Sequence, residues 1–203
     1  LKMPEVSERF RTAHGREWNQ NDVAIMYQSF EKHLFASLQD FTTPVPGVIE
    51  TMEQLRREGI RIGSTTGYTD AMMKIVQPGA AAQGYTVDCL VIPDHLPAGR
   101  PAPYMIYRNM TELAIPSVDE VVKVGDTIAD IREGLNAKVC SVGVITGSNE
   151  LGLTEEEYKT MPEPELYTLK QEVRERMMAA GAHYVLDNIR ELPDLIHNLM
   201  NKK

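Results

Sequence analysis

The chain has 203 residues, 42% of them hydrophobic and 25% charged, with a formal net charge of −8. That length suits one domain or a domain with a small accessory, and the apolar share allows a packed core. The acidic balance argues against nucleic acid and anionic membrane surfaces as partners, since both need basic surface, and no run approaches the ~18 consecutive apolar residues of a membrane span. No signal-peptide pattern opens the chain. The two cysteines, Cys89 and Cys140, lie in apolar strand-like runs with no zinc spacing, and read as reduced core thiols of a cytoplasmic protein.

Residues 5–38 read as helical throughout. Val23, Met26, Tyr27, Phe30, Leu34 and Leu38 recur at three- and four-residue steps, with Asn21 as a cap. His33 beside this stripe reads as a satisfied helix histidine, and Trp18 as a packing residue. "TTPVPG" at 42–47 is a hinge-like break. From there the pattern alternates. A helix over 47–58 ends at Gly59; strand "IRIGST" leads to a helix over 69–83, which "QPG" at 77–79 is expected to kink. Strand "CLVIPD" is followed by loop "HLPAGRP" and a helix over 102–114. Strand "VVKVG" precedes a helix over 128–136, with Gly134 and Asn136 as stop signals, and "VCSVGVI" is a further strand. A helical region spans 154–181, capped by Thr154 with Glu157 and interrupted by "PEP". Strand "HYVLD" and a last helix, with Asn188 and Glu191 as cap pair, close the chain. The alternation implies an α/β fold, a Rossmann-like, mostly parallel sheet with helices on both faces.

In such sheets the site lies outside the carboxyl ends of the strands. Behind "IRIG" comes "STTGYT", where Thr66, Gly67 and Tyr68 offer a hydroxyl and backbone N–H groups at a helix start, suited to phosphate oxygens. Behind "CLVIPD" comes Arg100, a permanent planar cation. Behind "VVKVG" come Asp126 and Asp130, four residues apart. Two carboxylates on one helix face repel, and a cation resolves that. Magnesium (Mg²⁺) takes one or two carboxylates with waters and phosphate oxygens. The ordinary alternative is an N-cap aspartate followed by a solvated helix aspartate. Asp94 and His95 read as loop residues.

The stretches "GIRIGSTTGYTDAMM", "VIPDHLPAGRPAPYM", "VKVGDTIADIREGLNA" and "SNELGLTEEE" resemble the phosphonoacetaldehyde hydrolases of the haloacid dehalogenase superfamily over nearly the whole chain. Arg100 stands where most of the superfamily has Lys. The resemblance implies an Mg²⁺-dependent, cytoplasmic enzyme that cleaves the C–P bond of phosphonoacetaldehyde. A lysine would form a Schiff base and an aspartate would take the phosphoryl group. It implies that residues 1–41 are the second part of a helical cap domain, that 42–203 are the core, and that cap helices pair two subunits into a homodimer. The implied nucleophile closes a first core strand that these residues do not display, and Lys2 lacks the context of the Schiff-base lysine. The 203 residues alone are therefore expected to hold phosphate and metal but not to catalyse. Two other readings share the same residues: another capped, Mg²⁺-dependent phosphatase or mutase of the superfamily, and a non-catalytic fragment.

Overall fold

The computed structural model describes residues 4–201, so Lys2 lies outside the described residues. The chain divides into two compact units, Leu1–Thr42 and Thr43–Lys203.

The first unit holds helices α1 (Pro4–His14) and α2 (Gln20–Ser37), then a tight helical turn, Leu38–Phe41. The helix predicted to run unbroken from 5 to 38 is interrupted. Gly15 adopts φ +66°, which a side chain would disfavour. Asn19, not Asn21, caps α2: its side chain accepts from the N–H groups of Asn21 and Asp22, and the Asp22 carboxylate accepts from Asn19 N. The chain thus closes a reciprocal capping box two residues earlier than expected. The Arg16 guanidinium grips the same Asp22 at 2.6 and 2.7 Å and holds its carboxyl down at about 2. Trp18 donates to Ser7 Oγ at 2.8 Å, and His33 Nδ1 meets Ser29 O at 2.6 Å. Along the apolar stripe Leu38 is buried and Val23 and Leu34 are half-buried, while Met26, Tyr27 and Phe30 are exposed.

The second unit alternates helices and strands: α3 (Val48–Arg57), β1 (Gly63–Thr65), α4 (Asp70–Ala82), β2 (Cys89–Val91), α5 (Tyr104–Glu112), β3 (Val122–Gly125), α6 (Ile128–Ala137), β4 (Cys140–Val144), α7 (Glu155–Thr160), α8 (Glu163–Ala179), β5 (Tyr184–Leu186) and α9 (Leu192–Met200). Every pairing is parallel. The described strands form two sheets, β1–β2 and β3–β4–β5, in which Val142 lies opposite Val124 on one side and Tyr184 on the other. The α/β fold class expected from the sequence is therefore present. One core cluster packs Ile131, Ile145, Val173, Met177 and Val185; another packs Leu55, Ile62, Val142, Leu186 and Leu192.

α4 runs unbroken through Pro78, and none of its residues is buried. α6 ends at Ala137, one residue beyond the expected 136, and is capped by Lys138 at φ +62°; of the two stop signals Gly134 is not used. Gly134 is an interior position chosen for space, since a Cβ there would sit 2.8 Å from Ser141 Oγ. The capping boxes Thr154–Glu157 and Asn188–Glu191 form as read.

Candidate active site at the strand ends

The site is built on the carboxyl ends of β1, β2 and β3. Thr66 follows β1: its N–H donates to Val91 O at 3.3 Å and its Oγ1 accepts from Tyr68 N at 3.1 Å. This small hydroxyl-centred turn leaves the Thr66 hydroxyl proton for another acceptor. Gly67 is exposed, and a Cβ there would meet nothing within 4 Å. Tyr68 is exposed as well. Asp94 accepts from Asp70 N at 2.8 Å, so with Thr69 it caps α4, a structural part for a loop residue.

Arg100 comes from the loop after β2 and reaches inward. Its Nε donates to Glu133 Oε2 at 3.2 Å, Nη1 meets Asp130 Oδ1 at 3.0 Å, and Nη2 donates to Thr65 O at 2.5 Å and Thr65 Oγ1 at 3.0 Å. Lys123, buried in the middle of β3, meets the same three residues: Thr65 Oγ1 at 2.8 Å, Asp130 Oδ1 at 2.9 Å and Glu133 Oε2 at 3.0 Å. Two cations and two carboxylates thus close a balanced network across β1, β3 and α6. Neutral pairing is what makes such burial tolerable, because a lone charge would cost several kcal/mol.

The two aspartates read together part ways. Asp126 stands between β3 and the N-cap Thr127, and so is not on a helix face with Asp130. Its Oδ2 accepts from Asn149 N at 3.0 Å. Asp130 is 2% exposed. Its Oδ2 accepts from Thr127 Oγ1 at 2.6 Å and Thr127 N at 3.2 Å, closing a capping box, while Oδ1 faces the two cations. Burial alone would push the Asp130 carboxyl up, but Lys123 and Arg100 beside it, with the Thr127 hydrogen bond, bring it below the usual carboxylate range. The cation expected to relieve the repulsion is therefore, for Asp130, supplied by the protein. The approach of Asp130 beneath β3 requires Gly125, where a Cβ would fall 2.1 Å from Asp130 Cβ.

Asp126 fits a magnesium ion as one hard carboxylate at a strand end with Oδ1 uncommitted, the sparse protein contribution Mg²⁺ accepts. Both oxygens of Asp130 already have protein partners. Among the described residues no three His, Cys, Asp or Glu side chains cluster as a metal site. Loop 146–152 supports Asp126 from behind: Glu150 Oε1 accepts from Ile128 N at 3.3 Å, and Arg176 Nη2 donates to Glu150 O at 2.7 Å.

Three site residues escaped the sequence reading: Thr65, Lys123 and Glu133. A lysine amid the β-branched run "VVKVG" and a glutamate three residues after Asp130 were the available signals, the second placing Glu133 on the Asp130 face of the helix.

The model of the haloacid dehalogenase-like hydrolases matches residues 5–138. The chain is 68% identical over 202 residues to the phosphonoacetaldehyde hydrolase of Parabacteroides distasonis, covering 100% of this chain and 76% of that protein. It belongs to the phosphonoacetaldehyde hydrolase family. The family's Bacillus cereus (strain G9842) protein is 45% identical over 198 residues, 98% of this chain and 75% of that one. The crystal structure of a phosphonoacetaldehyde hydrolase-like protein from Oleispira antarctica superposes with a TM-score of 0.88 at 30% identity, over 98% of this chain and 72% of that one. The chain is thus a hydrolase of the haloacid dehalogenase type. No described helix is long and apolar enough to cross a membrane.

Proposed function

We propose that this protein hydrolyses the C–P bond of phosphonoacetaldehyde to acetaldehyde and phosphate, in phosphonate degradation. The observation that carries the reading is the 68% identity, spanning the whole chain, to a phosphonoacetaldehyde hydrolase. In this reading Arg100 binds the phosphonate oxygens, the Thr66 hydroxyl and Gly67 N–H add hydrogen bonds, and exposed Tyr68 flanks the entry. Asp126 holds Mg²⁺, with Asp130 acting through Arg100 and Lys123 and not as a direct ligand. Bound there, Mg²⁺ would supply charge neutralisation for the phosphoryl oxygens.

C–P cleavage also needs an imine as electron sink and a carboxylate to take the phosphoryl group. Lys123 does not suit the imine, because its three N–H donors already face Thr65, Asp130 and Glu133. We place the carboxylate on a further parallel strand between β1 and β3. Support comes from the partial exposure of most of their residues and from their lack of pairing with each other, since inner strands of parallel sheets are buried. Residues 1–41 are then part of the cap and 42–203 the core. Exposed Met26, Tyr27 and Phe30 on α2 support a homodimer through cap helices, and the unpaired Cys89 and Cys140 support a reducing, cytoplasmic setting.

The test is an assay of the full-length enzyme with phosphonoacetaldehyde and Mg²⁺. Acetaldehyde and phosphate should appear in equal amounts. Rapid turnover of phosphate monoesters with phosphonoacetaldehyde left intact would instead select a superfamily phosphatase.

A further inference from the structure

Glu133 lies deepest in the charged network, at 0% exposure. It stands three residues after Asp130 on α6, so both carboxylates leave the same helix face toward β1 and β3. Its Oε2 collects three donors, Thr65 Oγ1 at 3.1 Å, Arg100 Nε at 3.2 Å and Lys123 Nζ at 3.0 Å. Its Oε1 is buried with no hydrogen-bond partner. All three donors therefore converge on the one oxygen that faces the Arg100 head group.

Arg100 explains the choice. Its guanidinium has five N–H donors in a rigid fork. Nε is committed to Glu133, one Nη1 donor to Asp130, and Nη2 to Thr65 O and Oγ1. One Nη1 donor remains. Asp130 and Thr65 hold the tips of the fork, but Nε is the atom next to the flexible stem. Fixing it sets the plane of the head group and hence where the remaining donor points. Lys123 touches both carboxylates and offsets their charge, so that they hold Arg100 without repelling each other.

We propose that Glu133 is a positioning residue for Arg100: it fixes the guanidinium plane through Nε and thereby aims the remaining donor at the phosphonate or phosphate oxygens. The proposal rests on the reading of Arg100 as the anion-binding cation and adds the residue that orients it. Glu133 touches no reacting atom and acts only through Arg100.

That dependence is measurable as a double-mutant cycle. Inorganic phosphate, the product, is titrated calorimetrically at fixed Mg²⁺ into the full-length enzyme and its Glu133→Gln, Arg100→Ala and doubly substituted forms. Glu133→Gln keeps the shape of the side chain. It should weaken phosphate roughly tenfold, the size of one misaligned charge-assisted hydrogen bond, and the double variant should be no weaker than Arg100→Ala alone. Effects that multiply in the double variant would overturn the proposal, as would parent-like phosphate affinity in Glu133→Gln alongside weakened binding in Arg100→Ala. If Arg100→Ala leaves phosphate binding unchanged, the underlying reading of Arg100 fails instead. Should Glu133→Gln not fold, the Arg100 Nε–H resonance of the unliganded parent decides. It should exchange slowly with solvent and lose that protection in Glu133→Asp, whose carboxylate is one methylene short. Rapid exchange in the parent would overturn the proposal.

Discussion

β4 and β1 are both strands of parallel sheets, yet they live in different surroundings. β4 is paired on both sides, and every residue after Cys140 is buried. β1 has one partner and no buried residue. The helices follow suit: α6, beside β3 and β4, buries Asp130, Ile131, Glu133, Gly134 and Ala137, whereas α4, which follows β1, buries none. The closed half carries most of the core clusters, with Leu55 and Ile62 from the other side joining one of them. The open half carries Thr66, Gly67 and Arg100. Thr66, Gly67 and Arg100 thus stand beside the gap that the proposed further strand would fill, and the charged network around Lys123 joins β1 to β3 and α6 across it.

The largest expected effect tests the proposed metal-binding role at the end of β3, in the closed half. Asp126→Asn should cut turnover by the full-length enzyme roughly 100-fold or more, because it loosens the Mg²⁺ that would neutralise phosphoryl charge, and should weaken Mg²⁺ in a metal titration. Parent-like Mg²⁺ affinity would remove Asp126 from the metal site. Next comes the core. Ile131→Ala, at a residue with 0% exposure, should cost about 2–5 kcal/mol in urea unfolding. Val76→Ala on α4 should cost well under half of that, and equal losses would dissolve the contrast between the halves. Arg100→Lys sharpens the comparison from the open side. Lysine keeps the charge but not the fork, so product-phosphate inhibition should weaken by roughly tenfold; an unchanged inhibition constant would count against the role.

The smallest effect is one of pH. The Asp130 carboxyl is lower when folded than when unfolded, so its contribution to stability is complete above the unfolded value near ~4. It is lost as pH falls through the lower, folded value. An Asp130→Asn variant should therefore show a shallower acid limb in denaturant midpoints between about pH 5 and 2 than the parent does. Parallel limbs would show that the ion pairs to Arg100 and Lys123 contribute nothing across that range.

Much of this was legible. The alternation of elements gave the α/β class because apolar runs and helical spacing are local signals, and the two downstream capping boxes were read directly. The site was legible only in part. Arg100 and Asp126 sit at strand ends, which sequence order locates. Thr65, Lys123 and Glu133 meet across 68 positions of chain, and single-sequence patterns carry no signal for which polar residues of separate elements converge. The spacing pairs Asp130 with Asp126 because neither of its protein cations shows in the helical pattern: Arg100 comes from a separate loop and Lys123 from the preceding strand. The break at Gly15 escapes the pattern because flanking helical spacing masks one left-handed residue, and β1 begins at Gly63, inside the stretch "IRIGST" read as a strand.

Gly125 makes no polar side-chain contact and would look expendable in a survey of chemistry. Yet even alanine there would drive a methyl group into the Asp130 side chain, 2.1 Å from its Cβ. In a saturation library scored by growth on a phosphonate, position 125 should therefore be depleted of every substitution, much like a catalytic position. Scored for bare solubility, alanine should be less depleted than bulkier residues. A hydrogen atom at that step is an empty space with a job, and the gap between the two screens would reveal it.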